Sequence, residues 1–455
     1  MNYRAWMTAV LDDSSYRHGF QAPHLKLGSD STRPSLVKPG SIKLRACAAT
    51  LIWFTLGSPL PSQPAESNLN LVILDPSALQ MAKDRLQHGD SALRPVLEKL
   101  KDDAEPLLAE RNFSVVNKQL APPGGDKHDY MSIAPYWWPN PTTVNGLPYV
   151  RRDGETNPER DHVSDRKALE NMIAGVETLS FTYFFTGREE YAARAAKLLR
   201  VWFMDEDTKM KPHLRFAQAI PGRTPGRAAG IIETHNLPGL IDAVALLSGS
   251  PAWSTNEQGA LQRWFEAYLH WLLESPAGRT EAKAPNNHGS WYDVQVASFS
   301  VFVGKKDLAR NVLSEFGKKR IAKQIEPDGR QPHELQRTQS WNYSLFNLEA
   351  MFTAASVADK LGVVLWNDQE PDRGGIRKAL DWLVPFAIGK KSWTEQQITP
   401  WQPQRLAPFL RRAALHYRDL SYERALNAIP GVRTDQRMYL LYFKPLAEIT
   451  ENSRR

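Results

Sequence analysis

Long stretches of helical period recur from about residue 76 onward, separated by short breaks, and they constrain this chain more than any other feature. The segment 255–274 is representative. Leu261, Trp264, Phe265, Tyr268, Trp271 and Leu272 recur there at helical spacing, and Thr255 with Gln258 reads as a capping box. Similar patterns run over 92–110, 164–186, 188–203, 228–247, 288–303, 307–325, 342–361, 373–389 and 403–427. Breakers at Gly187 and at 248–251, 276–278, 327–329 and 370–375 keep the turns between them short. Strand-like alternation is confined to 70–74 and 438–443. Several helices are apolar on both faces and so require cover on both sides. The pattern predicts an all-α fold, an (α/α) toroid or incomplete α/α barrel in which inner helices are ringed by outer ones.

Two long stretches interrupt the helices. Residues 113–162 contain APPGGDKHDYMSIAPYWWPNPTTVNGLPYVRRDGETNPERD, too rich in Pro and Gly to be helical yet carrying Tyr130, Tyr136, Trp137, Trp138 and Tyr149. Residues 211–227, KPHLRFAQAIPGRTPGR, form the second. Ordered loops of this length in a compact domain usually carry function. The 14 Trp suit either thick helix packing or sugar stacking.

The N-terminus reads differently. Residues 43–65, KLRACAATLIWFTLGSPLPSQPA, have two positive charges, an apolar run over 46–56, then small residues and prolines, which is a signal-peptide pattern. The apolar run is too short for a membrane-spanning helix. It stands far from Met1, so initiation near Leu36 or Val37 is expected, with residues 1–65 as extension plus signal peptide and 66–455 as the catalytic domain. The only cysteine, Cys47, falls inside the apolar run, which leaves the remainder without disulfide, thiolate ligand or Cys nucleophile. Export to the periplasm or beyond is the expected destination. Of the net charge of +7, residues 1–65 carry +4. The remaining +3 is compatible with a polyanionic substrate, and no basic run or nucleic-acid motif accompanies it.

Motifs exclude several chemistries. No HExxH, close His pair or acidic cluster has metal-ligand spacing, and no metal or cofactor is expected. Gly124-Gly125 has no strand before it, and Ser290 lacks the GxSxG context of a hydrolase nucleophile. A glycosidase would need two opposed carboxylates; Asp129, Glu233, Asp293 and Glu334 are available, but nothing in the sequence pairs them.

What remains is the stretch NNHGSWYD, 286–293, where two amides and an imidazole open an apolar helix. Such groups are costly to bury without partners. HELQRTQSWNYSLFNLEA then supplies Arg337 and Tyr343, six apart at a loop-to-helix junction. Donors, a cation, an imidazole and a phenol at helix ends suit a carboxylate whose neighbouring carbon loses a proton, the situation in β-elimination from a uronic acid. Asn287, His288 and Arg337 would absorb the charge of the enolate-like transition state. Tyr343 would serve as base and acid if a nearby cation lowers its pKa from about 10.

KHDYMSIAPYWWPNP (127–141), GLPYVRRDGETNPE (146–159), FAQAIPG (216–222), GIIET (230–234), NNHGSWYDVQ (286–295) and ELQRTQSWNYSLFNL (334–348) together resemble the alginate lyase superfamily. The similarity is greatest to polysaccharide lyase family 38, with family 5 more distant. The resemblance implies a secreted toroid lyase acting on polyuronates without a metal. It assigns Asn287 and His288 to the family's Asn-His pair, Arg337 to its carboxylate-side arginine and Tyr343 to its catalytic tyrosine. It further implies a substrate groove lined by Lys127, His128, Tyr130, Tyr136, Trp137, Trp138, His235 and Trp291. His235 stands where many relatives have an arginine.

Mannuronate and glucuronate share configuration at C4 and C5, so one tyrosine can serve both; guluronate, inverted at C5, would suit His288 as base and Tyr343 as acid. Alginate, mannuronate-rich, and glucuronan both remain open as substrates. The competing classes are a toroid glycoside hydrolase and a non-catalytic polysaccharide-binding protein.

Overall fold

A computed structural model of the chain describes residues 69–366 and 372–443, all within one compact unit. The signal-peptide pattern, Cys47, the candidate starts and Glu370 lie outside the described residues.

Twelve helices of eight residues or more carry the architecture among the described residues. They are α1 (Pro76–Gln87), α2 (Arg94–Ala109), α3 (Asp165–Thr186), α4 (Glu189–Phe203), α5 (Leu237–Ala245), α6 (Thr255–Glu274), α7 (Asn287–Phe302), α8 (Lys306–Phe316), α9 (Ser340–Asp359), α10 (Ile376–Ala387), α11 (Ala407–Tyr417) and α12 (Leu420–Ala428). Helices α3, α5, α7 and α9 form the inner ring. In α7, residues from Gly289 to Ser300 are buried on every face, and α9 is buried almost as completely. Outer helices such as α4, α8 and α10 bury one stripe only. Each inner helix packs on neighbours in chain order, α3 on α4 and α5, α7 on α8 and α9, which gives the expected (α/α) toroid. One continuous core runs through it, with Trp202, Tyr268, Phe299, Trp341 and Phe352 fully buried. No helix among the described residues is long and apolar enough to cross a membrane.

Local chemistry sets the helix limits. Gly187 ends α3 in the left-handed conformation (φ 71°), its N–H returning to the Tyr183 carbonyl. The capping box of α6 is Ser254 with Glu257, one residue before the expected Thr255 and Gln258, because the Ser254 hydroxyl takes the Glu257 N–H and the Glu257 carboxylate takes the Ser254 N–H.

Five expected elements differ. The pattern over 228–247 divides into a 3-10 turn, Ala228–Thr234, and α5, since Pro238 has no N–H to continue a helix and sits in its first turn. The pattern over 307–325 passes from α8 into a π turn, Gly317–Ile321. That over 403–427 breaks at Arg418, whose φ of 53° separates α11 from α12. Neither strand candidate is a strand. Residues 72–74 are held as a strap, their N–H groups donating to the buried Asp242 carboxylate of α5, and Met438–Leu441 is one helical turn.

The strands lie in the two stretches that read as loops. β1 (Met131–Ile133) pairs in parallel with β4 (Phe216–Ala219), and β2 (Trp137–Trp138) pairs antiparallel with β3 (Val150–Arg151). A buried ion pair fixes the first long loop to the ring: Lys118 Nζ lies 2.7 Å from Asp165 Oδ2 at the start of α3, both side chains fully buried. Lys118 also donates to the carbonyls of Val115 and Lys127, and Asp165 accepts the Met131 N–H. The strand-laced loops thus cover one end of the inner ring.

Candidate active site

At that covered end the N-terminal ends of α5, α7 and α9 open into a cavity of about 440 Å³. Helix starts suit such a place, because their first N–H groups have no partner within the helix. Asn287, His288, Arg337 and Tyr343, widely separated in sequence, all line this cavity, together with Tyr136, Trp137 and His235.

Tyr343 occupies the first turn of α9, and its hydroxyl lies 2.7 Å from the Tyr136 hydroxyl on the loop before β2. The Arg337 guanidinium carbon stands 3.9 Å from the centre of the Tyr343 ring. Arg337 is in turn held by Asp153, with Nη2 at 2.8 Å from Oδ1 and Nε at 3.0 Å from Oδ2. Burial would raise the Asp153 carboxyl, but the bonds from Arg337 and Thr338 outweigh it and bring it to about 2. Arg337 therefore meets the cavity already ion-paired. The expected lowering of the Tyr343 pKa is not what the structure gives: burial, followed by the neighbouring Tyr136, pushes the phenol well up, and Arg337 opposes this only in part.

Asn287 is fixed by a buried carboxylate. Its backbone N–H and its Nδ2 donate to the two oxygens of Glu334, at 2.9 and 2.7 Å. One amide hydrogen of Nδ2 remains for another acceptor. His288 Nδ1 lies 2.5 Å from Glu281 Oε1, which leaves Nε2 as the nitrogen available to the cavity. His235 packs edge-on to Trp291 and Phe346 and places Nδ1 at 2.9 Å from the Ile232 carbonyl. Burial lowers its pKa to about 4, so it is a neutral wall where relatives were expected to carry an arginine.

Five of the expected substrate contacts do not line the cavity. Tyr130 is fully buried beneath it and donates to Glu233. Trp138 follows Trp137 in β2 and so faces the other way, its indole N–H donating to the Glu155 carbonyl. Trp291 is buried and supports His235 from behind. Lys127 and His128 lie in a turn outside the cavity, where the Lys127 carbonyl accepts Lys118 and His128 Nδ1 contacts the Lys209 carbonyl.

The structure adds cations that the motifs did not single out. Arg151, Arg160, Arg166 and Arg227 also line the cavity. Arg166 is paired with Glu170 at 2.6 Å and Arg160 Nε lies 3.6 Å from Asp161 Oδ1, whereas the buried Nε of Arg227 has no hydrogen-bond partner. Arg227 is held by Gln218, whose own backbone is left-handed (φ 51°) within β4. A non-glycine residue in that conformation marks a place where the surroundings enforce the geometry. For Arg151, Arg160 and Arg227 the signal was the length of the loops that carry them; Arg166 stands in the first turn of α3.

Carboxylates suited to a glycosidase are not paired across the cavity. Glu170 is taken by Arg166, and Glu233 is held by Tyr130 and Ser132. Asp129 pairs with His213 and Lys211, Asp293 with Arg320, and Glu334 clamps Asn287. Among the described residues there is no group of three or more His, Cys, Asp or Glu placed to hold a metal.

Comparison with known proteins agrees with this geometry. The chain is similar to an alginate lyase from Bacteroides ovatus, with 38% identity and a TM-score of 0.80 over 83% of this chain and 100% of that one. Alginate lyase A1-III from Sphingomonas species A1 shares the fold at 19% identity and a TM-score of 0.56, covering 83% of this chain and 99% of its own. A single-site variant of that enzyme complexed with a tetrasaccharide superposes with a TM-score of 0.53, at 17% identity over 83% of this chain and 99% of its own. No curated protein sequence matches the chain. The sequence model of the alginate lyase family matches residues 114–393, and the chain belongs to that family of polysaccharide lyases.

Proposed function

We propose that the chain cleaves a 1,4-linked polyuronate, alginate rich in mannuronate, by metal-independent β-elimination that leaves a C4=C5 unsaturated uronate at the new end. The observation that carries this reading is the convergence of Tyr343, Arg337, Asn287 and His288 on one arginine-rich cavity. An ionised Tyr343 takes the C5 proton, and the phenol so formed returns it to O4 as the C4–O4 bond breaks. Two electrons from the C5–H bond become the new double bond, and no nucleophile is consumed. Asn287, with its free amide hydrogen, and Arg337 meet the charge that accumulates on the carboxylate, while the other cavity guanidiniums hold the charged polymer. His288, oriented by Glu281, offers Nε2 as a second base for a uronate inverted at C5. Glucuronan, which shares the mannuronate arrangement at C4 and C5, is the second substrate this site accommodates. The signal-peptide pattern over 43–65 supports action outside the cytoplasm.

The test is ultraviolet absorbance of the unsaturated product, with chelator present, on polymannuronate, polyguluronate and glucuronan in parallel. A rise on polymannuronate that disappears in Tyr343→Phe is expected. Saturated products, or turnover surviving in a folded Tyr343→Phe protein, would sink the mechanism.

A further inference from the structure

Asp153, the acidic half of the ion pair behind Tyr343, has no role in the scheme above, yet it is tied to the junction before α9 by several bonds. Asp153 lies in the turn after β3. Its carboxylate takes Arg337 through two guanidinium nitrogens and also accepts the Thr338 N–H at 3.3 Å. Its carbonyl takes the Thr338 hydroxyl at 2.8 Å, and the next carbonyl, of Gly154, takes Gln339 Nε2 at 2.7 Å. Gly154 has a φ of +72°, and a Cβ there would stand 2.2 Å from Thr338 Oγ1, so the turn and the junction before α9 meet with no room for a side chain. The same loop carries Tyr136: the Tyr136 carbonyl accepts the Arg152 N–H at 2.8 Å. One turn thus holds both groups that touch Tyr343, the phenol above its hydroxyl and the guanidinium against its ring.

We propose that Asp153 is a positioning residue of the elimination, which seats Arg337 against Tyr343 and sets how much of the arginine's charge the phenol experiences. This rests on the reading of Tyr343 as the proton-transfer group. The charged and titratable groups around that phenol are Arg337 at the junction with Glu334 near it, Tyr136 and Asp153 on the loop, Arg151 paired with Asp153, and, elsewhere on the cavity wall, His288, His235, Arg160, Arg166, Glu170, Arg227 and Glu233. Of the nearest, Arg337 favours the phenolate, while Tyr136 and Asp153 oppose it. Removing the Asp153 charge leaves Arg337 less compensated, and Tyr343 then ionises at lower pH.

The experiment is the pH dependence of kcat and KM for unsaturated-product formation by the full-length chain. It is run at fixed ionic strength on whichever of polymannuronate, polyguluronate and glucuronan the wild type cleaves fastest. Asp153→Asn is expected to move the rising limb of kcat to lower pH by about half a unit or more. Asp153→Ser is the second neutral variant should the first fold poorly, and Asp153→Glu should return the limb towards wild type. Thr338→Val removes a neutral tie between the same segments and should leave the limb in place. A limb that coincides with wild type in the neutral variants overturns the proposal, as does an equal shift in Thr338→Val, which would mark a purely structural role. Turnover retained by Tyr343→Phe, assayed alongside, would instead defeat the assignment of Tyr343, whatever the Asp153 variants do.

Discussion

The inner helices end in two cavities of opposite character. At their C-terminal ends, beside Val303 just after α7 and Lys360 just after α9, lies the larger, about 840 Å³, lined by Trp253, Gln262 and Phe302. At their N-terminal ends lies the smaller, about 440 Å³, with the phenol, imidazole, amide and arginines. Volume alone would favour the cavity without those groups. The chemistry follows the helix starts, where unpaired N–H groups suit anions, and it follows the strand-laced loops that bring Tyr136, Asp153 and Arg227 over them. In the larger cavity the polar groups serve structure: Gln262 donates to the Phe302 carbonyl, and the Trp253 indole donates to Gln258.

Substitutions at the two ends should separate just as sharply. Tyr343→Phe deletes one hydroxyl and is expected to lower kcat by about a thousandfold or more, with polymer binding retained in a pull-down on immobilised alginate. Because burial holds that phenol protonated, the wild-type rate should climb with pH on the alkaline side, while His235, neutral above about 4, contributes no step near pH 6. A rate that falls as pH rises from 6 to 9 would count against Tyr343 as base.

Stability should depend on the loop anchor. Lys118→Met strands Asp165 without its partner and should cost about 3–5 kcal/mol, read from denaturant or thermal unfolding. A loss under about 1 kcal/mol would mean that the loop does not depend on this pair. Arg227→Met should raise KM for the polymer about tenfold with kcat nearly kept, since the guanidinium offers uniform binding to a charged substrate. An unchanged KM at low salt would remove Arg227 from the substrate path. The smallest effect belongs to the other cavity: Lys360→Ala should alter neither kcat nor stability beyond about 0.5 kcal/mol. A clear loss of turnover there would erase the contrast between the two ends.

The helical ring was legible because its signal is local. Residues 255–274 declare their period within a few turns, 342–361 form one long, mostly apolar run, and Gly187 ends its helix in the left-handed conformation. The shift of the α6 cap from Thr255 to Ser254, and the division of 228–247 at Pro238, are errors of register and not of kind. Loops were another matter. Two-residue strands such as β2 and β3 have no period to read, and the pairing of β1 with β4 joins segments about 85 residues apart. The side to which Trp137 or Trp138 turned was decided by the pairing of β2 with β3.

The sequence by itself determined the toroid class and the family, and it singled out Asn287, His288, Arg337 and Tyr343, because helical period and compact motifs are written in neighbouring positions. Only the tertiary structure decided that these four share a cavity and that Arg337 arrives already paired with Asp153. It likewise decided that Tyr343 is made a weaker acid by burial, and that Arg227 stands with an unpartnered donor. Ion pairing, desolvation and exposure depend on which distant groups are brought together, and that depends on the whole chain closing its ring.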